Sequence, residues 1–338
     1  TPYHHDTALR TRRTHYILIQ RHKRTTMRKV IGIGETILDI IFKNEQPTAA
    51  VPGGSVFNGI VSLGRLGTDV TMITETGNDR VGQTIKNFMT DNGVNTDHVC
   101  MYDDGRTAIS LAYLNERNDA EYTFYKDYPK ARLDVRWPDI HPDDIVIMGS
   151  YFVLNPVLRS KVKEFLTYAR SRKAFIYYDI NFRSTHADEA QTLRSTILET
   201  FDFADIVRGS TEDFTNMFGI SDPLTTYKQE VSAHCPNLLC TDADGDIRLF
   251  TPTLIKNYKV QKIQTVSTIG AGDNFNAGIV YGILQGNILR TDLPTLSDSQ
   301  WKSIIQHGIS LATEECQSFH NSISKDFAQR YKQNKKQD

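Results

Sequence analysis

Cysteine is scarce in this chain. Its four thiols, Cys100, Cys235, Cys240 and Cys316, are scattered and never fall in C-x-x-C spacing. That excludes a disulfide framework and a clustered zinc site, and it fits reduced thiols in a cytoplasmic protein. Long apolar runs are missing too: none reaches the ~18 residues that would span a bilayer, and residues 16–19 are too short for a signal-peptide core. Charge of one sign is also lacking, with 39 Lys and Arg against 40 Asp and Glu. Six of the basic residues and one acidic residue fall within residues 1–26, so the rest carries 33 against 39. An acidic body of that kind is a poor non-specific partner for nucleic acid. What is present, 338 residues of which 39 % are hydrophobic, suffices for one large α/β domain with a small accessory one.

Residues 1–26 hold four of the ten histidines and show no amphipathic period. They read as a solvated extension or an upstream-extended start, because Met27 directly precedes the first convincing strand. Their Arg-rich, acid-poor makeup also admits a transit peptide, the weaker of the readings. At the other end, residues 331–338 (YKQNKKQD) read as a polar tail.

The stretch that carries chemistry is residues 265–278, TVSTIGAGDNFNAG. A β-leaning run over 265–268 meets a turn made of Gly270, Ala271 and Gly272. Asp273 follows, and then a helical pattern with Phe275, Ala277, Ile279 and Ile283. Small residues let the backbone turn tightly, and the first amides of the helix are unpaired donors with a partial positive charge. Asp273 is either the cap of that helix or a base beside an anion cradle. The second reading describes phosphoryl transfer to an alcohol, with Gly270, Ala271 and Gly272 bearing the developing charge.

V-S-T-I-G-A-G-D-N-F-N-A-G resembles the C-terminal signature D-T-x-G-A-G-D-x-F-x-A-G of the ribokinase-like, or PfkB-type, carbohydrate kinases. Residues 51–58, VPGGSVFN, with Arg65-Leu66-Gly67 after them, resemble the family's N-terminal G-G-x-x-x-N signature and the R-L-G that closes its helix. Gly34, Glu35 and Asp39 match G-E-x-x-x-D, and the combination is most like fructokinases.

The resemblance implies a three-layer α/β/α ribokinase-like fold over residues 27–330. It has a mainly parallel central sheet and a small β-sheet lid drawn from about 37–50 and 105–128. It implies an ATP-dependent kinase acting on a primary sugar hydroxyl, fructose first, with a nucleoside kinase or an inactive sugar-binding regulator as alternatives. Asp39, Gly53, Gly54 and Asn58 would hold the sugar. A carboxylate accepts two hydroxyl hydrogen bonds at once, and an amide offers both a donor and an acceptor. Residues 179–183, DINFR, match D-x-N-x-R, so Asn181 and Arg183 would face the nucleotide phosphates together with Ser210, Thr268, Gly270 and Gly272. Mg²⁺ would be held through water by Glu212 and Asp213, where the family's N-x-x-E reads Ser210 to Asp213. A helix cap by Thr211 or Asp213 is the rival reading of that segment. Ser267 replaces the first Asp of the signature, which leaves a monovalent cation open. His307, Ala312 and Cys316 fall in the region that borders adenine in relatives. Asp79 is expected to cap the helix after it. The partners implied are a small sugar and a second copy of the chain, paired through the lid, with no membrane and no nucleic acid.

Overall fold

Short β-branched runs alternating with amphipathic segments build nearly all of the chain. The computed structural model describes residues 27–116, 120–242, 245–261, 265–266, 268–318 and 320–334. The first half runs β1 (Val30–Ile33), β2 (Ile37–Lys43), β3 (Gln46–Gly53), α1 (Ser55–Arg65), β4 (Val70–Gly77), α2 (Arg80–Asp91), β5 (Val94–Asn95), β6 (Val99–Tyr102), β7 (Arg106–Leu114) and β8 (Ala120–Asp127). From there it alternates through β9 (Ile145–Gly149), α3 (Arg159–Ser171), β10 (Phe175–Asp179), α4 (Ala190–Phe203), β11 (Ile206–Ser210), α5 (Thr211–Phe218) and the short α6 (Pro223–Thr226). The last elements are β12 (Leu238–Thr241), β13 (Ile247–Phe250), β14 (Ile255–Tyr258), α7 (Ala271–Gln285), α8 (Asp298–Glu315) and α9 (Lys325–Asn334).

The main sheet has the order β14-β13-β12-β11-β10-β9-β1-β4-β5, with β6 also on β4. Pairing is parallel from β12 to β5 and antiparallel only along β12, β13 and β14. Helices cover both faces, which is why β1, β4, β9 and β10 are buried along their whole length and why β1 and β9 read as continuous apolar runs. Successive side chains point to opposite faces. Val30, Ile145 and Tyr177 therefore join one core with Phe57, Phe275 and Trp301, while Ile31, Val146 and Tyr178 join the other with Phe165, Phe201 and Phe214. The chain therefore has the expected fold class.

A separate four-stranded sheet, β3-β2-β7-β8, lies off the main one. Its central pair β2–β7 is parallel and the outer pairs are antiparallel. Two latches join it to the main body. Asp79 caps α2 through the Gly82 amide and also accepts from the Thr107 amide and hydroxyl. On the other side Glu35 accepts from Lys126 Nζ at 2.6 Å and from the Tyr128 hydroxyl, and Arg132, stacked on Tyr128, binds Glu75.

Several expectations need correction. Residues 265, 266 and 268 form no strand; the Val266 amide instead donates to the Cys316 carbonyl. Ser267 and residues 1–26 lie outside the described residues. Residues 331–334 are no tail but the last turn of α9, because Tyr331 stacks on Phe327 and its hydroxyl meets His307 Nδ1 at 2.8 Å. His307 is thereby buried against Tyr281 and Tyr331, in an aromatic cluster of its own.

Candidate active site

Gly270 sets the geometry of the cradle. It precedes α7 with φ of 84°, a left-handed conformation that glycine adopts without strain, and a Cβ there would stand 3.1 Å from the Asn321 carbonyl. The Ala271 amide turns back to the Thr268 carbonyl at 3.3 Å. The amides of Gly272 and Asp273 have no partner within the helix and project from its positive end. Asp273 thus sits in the first turn of α7, on the rim of these donors.

Gly54 brings the other signature to the same place. Its φ is 140° and a Cβ would meet the Glu35 carbonyl at 2.2 Å, so only glycine lets the chain leave β3 and enter α1 at that angle. Four residues on, Asn58 Nδ2 donates to Asp273 Oδ2 at 2.8 Å. This bond joins the two signatures across most of the chain, and the Ser62 hydroxyl adds another by donating to Asn274 Oδ1. Burial, followed by the nearby Asp179, raises the Asp273 pKa to about 7, against the hydrogen bonds of Asn58 and Ser55 and the charge of Arg183. A carboxyl so poised can hold or release a proton at neutral pH.

Asp39 on β2, the carboxylate expected to meet the sugar, accepts from the Ser110 hydroxyl on β7. Burial raises its pKa, opposed by Ser110 and by the charge of Arg183. Arg183 is therefore near enough to act on both Asp39 and Asp273. Tyr113 is stacked on Phe42 and Phe124 on Tyr122, so these rings are spent within the small sheet.

A cleft of about 720 Å³ is walled by Asn181, Arg183, Ser210, Glu212, Asp213, Thr268, Gly270, Gly272 and Asp273, the residues expected at the nucleotide among them. Two of the expected ligands also bond to each other. Ser210 is the N-cap of α5, accepting from the Asp213 amide at 3.1 Å, and Asp213 Oδ2 accepts from the Ser210 amide at 2.6 Å. Asp213 is thus the third residue of a reciprocal capping box that engages its Oδ2, while the residue also lines the cleft. Glu212, beside it, keeps its carboxylate on the cleft wall. Among the described residues no group of three or more His, Cys, Asp or Glu could hold a metal ion.

Three groups in the site escape sequence reasoning. Arg208 on β11 is buried behind Gly272, donating to Asp179 Oδ1 at 2.9 Å and Thr241 Oγ1 at 2.8 Å. A lone cation inside an otherwise apolar strand was the signal for it. Glu315, at the end of α8, is fully buried behind Gly270, and neither of its oxygens has a hydrogen-bond partner. Burial first, and then the charge of Asp273, raises its pKa to about 8. Asn321, in the loop before α9, approaches Gly53, and nothing in the sequence marks it.

Comparison with known proteins gives the family and the fold. The model of the "pfkB family carbohydrate kinase" family matches residues 27–293. The probable fructokinase-6, chloroplastic, of Arabidopsis thaliana is 26 % identical over 285 residues, covering 80 % of this chain and 72 % of that protein. Among solved structures, the ATP-bound fructokinase from Xylella fastidiosa superposes with a TM-score of 0.77 at 20 % identity, over 91 % of this chain and 99 % of its own. A double mutant of the Vibrio cholerae O395 fructokinase, with fructose, ADP and potassium ion bound, gives 0.74 at 19 % identity over 88 % and 94 %. Among the described residues no helix is long and apolar enough to cross a membrane.

Proposed function

The chain belongs to the pfkB family of carbohydrate kinases, and from that premise we propose that it moves the γ-phosphoryl group of ATP onto a primary hydroxyl of a sugar, with fructose as the first substrate. One observation carries the reading: the acid beside the cradle is tied to the helix that follows the twin glycines, Asn58 Nδ2 to Asp273 Oδ2, at 2.8 Å. Asp273 takes the proton of the sugar hydroxyl, its oxygen bonds to the γ-phosphorus, and the bond from that phosphorus to the bridging oxygen of ADP breaks. The amides of Gly272 and Asp273 receive the charge on the transferring group, with the start of α7 behind them. Asp39, Gly53, Gly54 and Asn58 hold the sugar, and Arg183 and Asn181 face the phosphates.

The fructose and nucleotide bound in the similar structures support the choice of substrate. Mg²⁺ would neutralise phosphate charge, and Glu212, one of the carboxylates lining the cleft, would reach it through water. A monovalent cation would displace the proton of Glu315, whose orphaned oxygens lie behind the cradle, and take its carboxylate as counter-charge. Two copies pairing across the small sheet would cover Phe124 and Tyr125, which are 52 % and 55 % exposed. The test is ADP release over a panel of sugars and nucleosides, with and without potassium. Turnover of fructose is expected, and ADP release with nucleosides alone, or with nothing, sinks the reading.

A further inference from the structure

The loop between α8 and α9 is fixed from three sides. The Asn321 carbonyl accepts from Asn274 Nδ2 at 3.0 Å, and that same amide group donates to the Gly270 carbonyl at 2.9 Å. The Ser322 hydroxyl donates to the Asn58 carbonyl at 3.1 Å, and the Ile323 amide to Ser62 Oγ at 3.1 Å. Arg65 Nη1 closes the loop on the Ile323 carbonyl at 2.6 Å. The backbone of the loop is therefore committed to α1 and α7, the two helices that carry Asn58 and Asp273.

The Asn321 side chain is left over. A carbon placed on Gly53 would stand 2.8 Å from Asp39 Oδ2, 3.1 Å from Asn321 Nδ2 and 3.9 Å from Asn58 Oδ1. Three polar groups from three distant segments thus converge on the bare face of one glycine. Asn58 Oδ1 is buried with no hydrogen-bond partner, its amide nitrogen being spent on Asp273. Buried polar atoms are rarely left so, and a ligand that supplies hydroxyls is the natural completion. Asp39 and Asn58 offer acceptors there, and a sugar hydroxyl also needs a donor for its oxygen.

We propose that Asn321 is a sugar-binding residue, donating from Nδ2 to an oxygen of the sugar whose neighbouring hydroxyls Asp39 and Asn58 accept, so that the loop before α9 helps select the substrate. The inference rests on the sugar-kinase reading above. Because the Asn321 carbonyl also holds the Asn274 side chain against Gly270, a sugar seated here bears directly on the loop that aligns the cradle.

The experiment compares the wild-type chain with Asn321→Ala and Asn321→Asp, using fructose and its deoxy analogues, one for each carbon other than the one phosphorylated. Asn321→Ala should raise the KM for fructose about 10- to 100-fold, the range set by removing a hydrogen bond with a buried partner, while the KM for ATP stays within twofold. Asn321→Asp should do worse, since it sets a second carboxylate against Asp39. For one deoxy analogue, the one lacking the oxygen that Asn321 meets, wild type and Asn321→Ala should have the same KM. Titration calorimetry of fructose in the presence of ADP reads the same loss without turnover. Sugar KM unchanged in Asn321→Ala, or an equal penalty across all analogues, overturns the proposal. A wild-type chain that phosphorylates no sugar is a different result, and it removes the parent reading along with this one.

Discussion

The two ends of the cleft are built differently. At the end proposed for the sugar, Asp39, Asn58 and Asn321 come from three separate segments and crowd round Gly53, with Asp273 bonded to Asn58 and a buried acceptor held open. At the nucleotide end, the polar groups line an open cleft of about 720 Å³, and two of them, Ser210 and Asp213, satisfy each other. The contrast locates discrimination. Fixed, desolvated donors and acceptors reject a ligand that lacks a matching group, whereas backbone amides and an exposed guanidinium accept any polyphosphate. On the proposed reading, the sugar end is preorganised for one shape and the nucleotide end for one charge.

The largest expected effect lies where the two ends meet. Asp273→Asn should lower kcat by ~10² to 10⁴ while leaving sugar affinity nearly intact, because only proton removal is lost. With a pKa of about 7, the base must lose its proton before it can act, so wild-type kcat/KM should fall about tenfold per pH unit below that value and level off above it. A pH profile flat from 5 to 8 would contradict the assignment.

Next comes Arg183→Met, which removes the charge shared by both ends. The KM for ATP should rise roughly tenfold or more, as expected for a lost charge-assisted contact. Arg183 also draws down the Asp273 pKa, so the acid limb should move to higher pH. A raised KM for ATP with an unmoved limb would separate the guanidinium from the base.

A smaller effect concerns stability. In the fold Glu315 keeps its proton up to about pH 8, whereas an unfolded chain loses it near the ordinary value of 4.5. The native state therefore holds the extra proton and loses stability as pH rises through that window. Glu315→Gln should raise Tm by ~5 °C at pH 8.5 in buffer free of potassium and sodium, with the gain vanishing towards pH 4.5. Potassium should then raise Tm in the wild type but not in the variant.

The smallest separates cap from ligand. Asp213→Ala should cost about 1 kcal/mol in denaturant unfolding and leave the Mg²⁺ dependence of turnover unchanged. Should magnesium requirement rise tenfold, Asp213 serves the metal after all.

Much of this was legible in the order of residues. The alternation of short apolar strands with amphipathic helices predicts a buried parallel sheet, and G-A-G-D with P-G-G-S-V-F-N marks where backbone must bend or lie bare. Local rules suffice there, because φ at Gly54 and Gly270 and the period of the helices are properties of neighbouring residues. The polar edge was misjudged for the same reason. Residues 265–268 have strand-like composition but spend an amide on Cys316, and α9 outlasts its charged sequence because Tyr331 and Phe327 pack.

What the sequence determined by itself was the family, the layered fold and the acid beside the cradle. Only the tertiary structure decided that Asp213 is a cap, that Arg208 and Glu315 lie buried against the glycines, and that Asn321 reaches Gly53. The reason is physical: burial and charge at a point depend on what distant segments bring there, and no local pattern records which loop will close over which glycine.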